Sequence, residues 1–266
     1  MKKIGFIGCG NMGGTLAAAA AKTAHTVYVA DASAERASAF SAEHGASALA
    51  TNRELAATCD VIFLGVKPQV LSAVLEDIRD TLAARRDHFF LVSMAAGVDL
   101  ATLSRLAGGD YPIIRMMPNT PACVGEGMIL YTPNALVTEG DALLFLSAME
   151  HAGLCDRIDE KFMDAASAVS GCGPAFVYMF IEALADGGVM CGLPRDKAIA
   201  YAAKTVLGAG KTVLETGRHP EELKDAVCSP AGSTIEGVRA LENSAFRSAC
   251  IEAVSASYRR TKELGK

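Results

Sequence analysis

The 266 residues carry 25 Lys and Arg against 30 Asp and Glu, a formal net charge of −5, and 51% of them are hydrophobic. That is the balance of a globular protein with a mildly acidic surface, and the lack of any basic block or stripe argues against a nucleic-acid partner. The length allows one large domain or two ordinary ones; the longest apolar runs, such as VIFLGV and HFFLVSMAAGV, fall short of a bilayer span, so no membrane partner is expected.

The chain opens on the strand-like run KIGFI and passes directly into GCGNMGGTLAAAAAK. Gly8, Gly10 and Gly13 keep G-x-G-x-x-G spacing at that strand-to-helix turn. Gly8 suits the tight turn, Gly10 lets the backbone approach a pyrophosphate, and Gly13 lets the helix pack against the strand while its N-terminus faces the anion. The next strand, TVYVA, runs into Asp31. A carboxylate there bonds the ribose 2′-hydroxyl and favours NAD, whereas DASAER also offers Ser33 and Arg36 for a 2′-phosphate should Asp31 cap the following helix instead. The residues leave both cofactors open.

Further strands, VIFLG, FFLVS, IIRMM, MILYT and CDRID, are separated by the helical runs PQVLSAVLEDIRDTLAA, DLATLSRLA and TEGDALLFLSAMEHA. Apolar strands alternating with helices predict a doubly wound, Rossmann-type parallel sheet over residues 1–159. Gly65 to Gln69 and Ser93 to Gly97 then lie at carboxyl ends of strands, where such a sheet binds its ligand. Ala95 and Ala96 suit close passage of a ribose, and Lys67 reads as a surface lysine before the helix-starting Pro68 rather than as a catalytic acid. Asn119, held between Pro118 and Pro121, suits either orientation of a nicotinamide or plain turn chemistry.

From Glu160 to Lys266 only helical periodicity follows, broken at SGCGP, CGLP, TGRHP and CSPAG, so a helical second domain is expected over 160–266. The run AFVYMFIEALADGGVM is apolar nearly all round its first turns, and either a second subunit or the first domain must cover it. The eight cysteines are scattered without paired spacing, which predicts free thiols and no metal site. With no charged-then-apolar leader at residues 1–10, a cytoplasmic location is expected.

The helix SGCGPAFVYMFIEAL carries no Lys, His or Asn to act as base for an alcohol, and His219 beside Pro220 reads as a loop residue. Reduction of a C=N bond asks for less, because a cyclic imine is basic enough to take its proton readily. In SPAGSTIEG, Gly232 permits close approach while Ser233 and Thr234 open a helix with two hydroxyls. That loop reads as a cradle for an anion and an imine, or else as an ordinary N-cap pair.

GFIGCGNMG, FLGVKPQ, VSMAAGV, RMMPNTPA, SGCGPAFVYMFIEALADGGVMCGLPR and LKDAVCSPAGSTIEGVRALE together resemble the successive motifs of the pyrroline-5-carboxylate reductase family. The resemblance implies NAD(P)H-dependent reduction of Δ1-pyrroline-5-carboxylate to L-proline, the last step of proline biosynthesis. It implies a helical C-terminal domain that intertwines with a second subunit, in a homodimer that can assemble further into a decamer. It also implies that the Thr234 hydroxyl lies beside the substrate ring nitrogen, that Ser229, Ser233 and amides near Gly232 hold the carboxylate, and that Glu160 contacts the substrate side. For the cofactor it implies Gly8, Cys9, Gly10, Asn11, Met12, Asn52, Gly65, Val66, Lys67, Pro68, Met94, Ala95 and Ala96, with Ser33 near the 2′-phosphate and NADP(H) ahead of NAD(H). Two positions depart from the family pattern: Cys172 stands where a Ser is common, and Ala226 where some members have Asn. A β-hydroxyacid dehydrogenase would need a helix-borne lysine that is absent, and a cofactor-sensing regulator would have no use for the serine–threonine loop.

Overall fold

The structure, a computed structural model, describes residues 1–264. The chain divides into two compact units, Met1–Cys172 together with the chain end from Ser257, and Gly173–Ala256.

The first unit is built on eight strands: β1 (Lys3–Ile7), β2 (Thr26–Ala30), β3 (Ser47–Ala48), β4 (Val61–Leu64), β5 (Phe90–Ser93), β6 (Ile113–Met117), β7 (Gly127–Pro133) and β8 (Gly153–Arg157). They lie in the order β3-β2-β1-β4-β5-β6-β7-β8. The helices are α1 (Asn11–Ala20), α2 (Ala34–His44), α3 (Asn52–Thr58), α4 (Pro68–Ala84), α5 (Leu100–Ala107), α6 (Glu139–Ala148) and α7 (Met163–Ser170). Side chains alternate across the strands, so each sends residues into two cores. Phe6 and Phe63 stack at 4.4 Å on the α1/α2/α6 side, while Ile7, Ile62 and Leu64 meet Leu71, Leu75 and Ile78 of α4 on the other. The doubly wound α/β architecture predicted from the sequence is present, with one difference. β7 runs antiparallel to β6, pairing Ile114 with Pro133, and β8 returns parallel to β7. A short connection through a 3₁₀ turn at Thr120–Val124 suffices for this reversal, where a parallel neighbour would need a full crossover. The short β3 and α3 are also additions to the sequence reading.

The second unit is wholly helical: α8 (Gly173–Met190), α9 (Arg195–Thr216), α10 (Pro220–Ala226), α11 (Ser233–Asn243) and the first part of α12 (Phe246–Leu264). Its buried apolar cluster is small, formed by Ala185, Ala198 and Ala202 where α8 meets α9. Tyr178, Met179 and Met190 of α8 and Ile199, Tyr201 and Leu214 of α9 stay exposed in the single chain. Residues 160–190 form a stretch long and apolar enough, by length and composition, to cross a membrane, although no unbroken apolar run in the sequence reaches that length; 11% of its most apolar 18-residue window is buried within the chain.

Candidate cofactor and substrate sites

The glycine loop links β1 to α1, and its conformation explains its glycines. Gly8 has φ +98°, a backbone that L side chains rarely adopt. A Cβ on Gly13 would lie 2.1 Å from the Gly8 carbonyl oxygen, so α1 can rest on the strand end only with glycine there. Above Gly10, by contrast, a Cβ would meet nothing within 4 Å. Gly10 is the N-cap of α1 and no side chain caps that helix, which leaves amides free for an anion. This is the fit that a dinucleotide pyrophosphate requires: a bare backbone edge, an open space and an uncapped helix start.

A cavity of about 960 Å³ opens over the loop. Of the expected cofactor positions, Cys9, Gly10, Asn11, Met12, Gly65, Val66, Lys67 and Met94 line it. Gly8 and Gly13 shape the loop without lining it. Ser33, Asn52, Pro68, Ala95, Ala96 and Asn119 are likewise not on its wall. Pro68 instead starts α4, Ala95 is packed into the core beside α4 and α5, and Ala96 is exposed. Burial pushes the Cys9 thiol up to about 11, with the neighbouring Asp31 charge adding to the effect, so no thiolate opposes an anion at the loop. The sequence reading passed over Thr15, Ala18, Ala19 and Lys22, which line the same cavity. Counting from Asn11, Thr15, Ala18 and Ala19 recur at helical spacing along one face of α1, with Lys22 in the turn just past its end, and that period was the available signal.

Asp31 lies just beyond β2 with its side chain 6% exposed. One carboxylate oxygen accepts the Cys9 N–H at 2.8 Å; the other accepts the Ser33 N–H at 2.9 Å and an N–H of Arg36 Nη1 at 3.1 Å. The cap of α2 is Ser33, whose Oγ accepts the Arg36 N–H, so the capping alternative for Asp31 gives way to a brace between the glycine loop and the β2–α2 turn. Asn119 is also a brace. Its amide donates to the Ser170 carbonyl at 2.8 Å and accepts the Met128 N–H at 2.9 Å, tying the Pro118–Pro121 loop to α7 and β7.

Glu160 accepts the Leu100 N–H at 2.7 Å and an N–H of the buried Arg115 at 3.1 Å. Arg115 also bonds Asp164 at 3.0 Å, and Asp164 pairs with Lys262 of α12 at 3.1 Å. Glu160 borders a separate cavity of about 530 Å³ with Thr132, Arg157 and Lys161.

In the helical unit the structure brings Ser229, Gly232, Ser233 and Thr234 into one turn. The Gly232 N–H bonds the Ser229 carbonyl at 3.0 Å, and a Cβ on Gly232 would fall 2.3 Å from Ser229 Oγ. Ala231 sits at φ +54°, a strained conformation for alanine. Gly232 is the N-cap of α11 and no side chain caps it, so Ser233 and Thr234 are not an N-cap pair. Both are exposed, with their hydroxyls uncommitted among the described residues, beside the open amides of an eleven-residue helix. His219 accepts the Glu221 N–H as the cap of α10, a loop role.

Residues 160–264 match the family model described as pyrroline-5-carboxylate reductase dimerisation, and residues 3–97 match one described as NADP oxidoreductase, coenzyme F420-dependent. The pyrroline-5-carboxylate reductase of Escherichia coli K12 is 45% identical over 269 residues, covering 100% of this chain and 99% of its own. The chain belongs to the pyrroline-5-carboxylate reductase family. The Glycine max reductase is 40% identical, covering 98% of this chain and 95% of its own. A crystal structure of the Plasmodium falciparum pyrroline carboxylate reductase with NADP bound has a TM-score of 0.88 at 33% identity, covering 100% and 98%. The Coxiella burnetii pyrroline-5-carboxylate reductase has a TM-score of 0.91 at 31% identity, covering 100% and 99%. As a member of the pyrroline-5-carboxylate reductase family, the chain is an NAD(P)-dependent oxidoreductase of the last step of proline biosynthesis, acting on a small molecule as a homo-oligomer.

Proposed function

We propose that the chain reduces Δ1-pyrroline-5-carboxylate to L-proline using NADPH in preference to NADH, with the Ser229–Thr234 turn as the substrate seat. The supporting observation is the start of α11: uncapped amides, a glycine N-cap and two uncommitted hydroxyls on one turn. Its amides and the hydroxyls of Ser229 and Ser233 hold the substrate carboxylate. Thr234 Oγ1 hydrogen-bonds the ring nitrogen and either donates or relays the proton that the nitrogen gains as C=N becomes C–N. The reduced nicotinamide, when bound, supplies the hydride to the imine carbon. One hydride and one proton balance the conversion to a secondary amine.

The cofactor reading assigns the pyrophosphate to Gly8–Gly13 and the uncapped N-terminus of α1, with Gly65–Pro68 and Met94–Ala96 along its path and Asn52 and Asn119 beside it. Glu160, held by Arg115, belongs to the substrate side. The functional division is taken at 159/160, where the dimerisation family model begins. The protein acts in the cytoplasm as a homodimer able to build a decamer, with no nucleic acid, membrane or metal partner; the exposed faces of α8 and α9 are what a second copy covers.

The test is loss of reduced-nicotinamide absorbance on mixing protein, pyrroline-5-carboxylate and NADPH or NADH, with proline measured as product. Thr234→Ala is expected to slow turnover about 10- to 100-fold. Wild-type kinetics in that variant would remove Thr234 from the mechanism.

A further inference from the structure

Arg115 lies in the middle of β6 with its side chain 5% exposed, a costly place for a charge. Nη1 donates to Glu160 at 3.1 Å and Nη2 to Asp164 at 3.0 Å, while Nε is buried with no partner among the described residues. A buried guanidinium with an orphan donor is a poor stabiliser, since apolar side chains of similar volume often serve a core as well. What it supplies is geometry, and the geometry converges on one loop. Residues 94–99 join β5 to α5, and Met94 lines the cofactor cavity. The hydrogen bonds within this loop are local and long: the Ala95 N–H to Ser93 Oγ at 3.3 Å and the Val98 N–H to the Ala95 carbonyl at 3.4 Å. Both of its ends meet Arg115. Ser93, the last residue of β5, is paired with Arg115 across the sheet. Leu100, the first residue of α5, donates its N–H at 2.7 Å to Glu160 Oε1, the same oxygen that Arg115 Nη1 reaches. Asp164 takes the other arm of the guanidinium through Oδ1 and holds Lys262 through Oδ2, which fixes the plane of the fork.

We propose that Arg115 is a positioning residue for hydride transfer, acting through Glu160 to hold the 94–99 loop at both ends. The inference rests on the reading above that the chain reduces the imine and that Met94–Ala96 lie along the cofactor path. Glu160 serves the substrate side by bracing this loop: its carboxylate is an acceptor that Arg115 aims at the Leu100 N–H. A loop released at one end still leaves the pyrophosphate seat at Gly8–Gly13 intact, so the dinucleotide stays bound. The loss falls on alignment of the hydride with the imine carbon, where a displacement of about 1 Å costs on the order of 100-fold in rate.

The test compares Arg115→Lys, which puts a point charge in place of the fork, with Glu160→Ala, Glu160→Gln and the wild type. In the cofactor-free protein, deuterium exchange of the Leu100 amide should speed up about 10-fold or more in Arg115→Lys and Glu160→Ala. With pyrroline-5-carboxylate and NADPH, both should lose about 10- to 100-fold in kcat, with the KM of the imine and the Kd of NADPH within about 3-fold. NADPH deuterated at C4 should then give a larger isotope effect on kcat than it gives in the wild type. Glu160→Gln, which keeps an oxygen for the Leu100 N–H, should recover most of the loss. Wild-type kcat and Leu100 exchange in Arg115→Lys and Glu160→Ala would overturn the positioning role, as would a loss confined to Tm. A loss confined to the KM of the imine would make Glu160 a substrate contact, and a Glu160→Gln enzyme as slow as Glu160→Ala would show that its charge is what matters; either overturns the brace while leaving the reaction intact. A wild type that oxidises neither NADPH nor NADH with the imine would overturn the reading of the reaction, and this role with it.

Discussion

Replacing Gly13 with Ala should damage the fold, whereas the same change at Gly10 should damage cofactor binding and leave the fold intact. A Cβ at position 13 would stand 2.1 Å from the Gly8 carbonyl oxygen and 3.4 Å from Gly65 Cα. A carbon and an oxygen in contact need about 3.3 Å, so the start of α1 must withdraw by roughly 1 Å from the strand ends. Overpacking of this kind costs about 1–3 kcal/mol, which for a chain of this size lowers Tm by roughly 2–12 °C. At position 10 the added methyl meets nothing within 4 Å, and φ −68° suits any residue. The cost there is the weaker N-cap, about 1 kcal/mol or less. The methyl instead occupies the approach of the pyrophosphate, and losing one charge-assisted amide contact worth about 1.5–3 kcal/mol raises Kd about 10- to 150-fold. Calorimetric melting of both variants and NADPH titration by its own fluorescence decide the matter. A Gly13→Ala protein that melts with the wild type, or a Gly10→Ala protein that binds NADPH normally, would refute the reading of the loop.

Asn119→Ala should strand the Met128 N–H and the Ser170 carbonyl, costing about 2–4 kcal/mol and lowering Tm by roughly 4–16 °C; differential scanning calorimetry reads it. Asp141 opposes its own burial through bonds from His88 and Thr138 that hold its carboxyl below the usual carboxylate range. A depressed folded-state value stabilises the fold above the unfolded carboxyl's range and loses that contribution as pH falls through the folded one. Asp141→Asn should therefore flatten the acid limb of a Tm-against-pH curve, and an unchanged limb would contradict the assignment. Dialysis against a chelator should leave turnover of the imine unchanged, since the proposed chemistry uses hydroxyls and amides; a loss restored by a divalent metal would overturn that.

How much was legible in the sequence depended on whether a residue answers to its neighbours in the chain or to distant ones. The glycine loop could be read in advance because Gly8 and Gly13 each meet a backbone need set by residues close by in the chain. The helix Pro68–Ala84 was readable from end to end, with proline at its start and apolar residues recurring at helical period. The antiparallel direction of β7 was not, because an apolar run records burial and carries no mark of direction. The two-residue β3 and the seven-residue α3 were too short to establish a period. The SPAGST turn was legible as a helix start, but only the structure assigns the cap to Gly232 and leaves both hydroxyls uncommitted. Asp31 was the hardest residue to read. Its three hydrogen-bond donors, from Cys9, Ser33 and Arg36, converge only once β1 lies beside β2.

The helical unit has one further consequence. Its own core amounts to three alanines, while tyrosines, methionines and leucines on α8 and α9 face outward. With a second copy over those faces, as proposed above, the fold would depend on mass action: its stability would rise with the amount of its own product and fall on dilution. Inheritance then matters as well as chemistry. In a cell making two versions of the chain, a defect confined to α8 would be shared with the healthy version through mixed dimers, and the deficit would exceed the fraction of faulty chains.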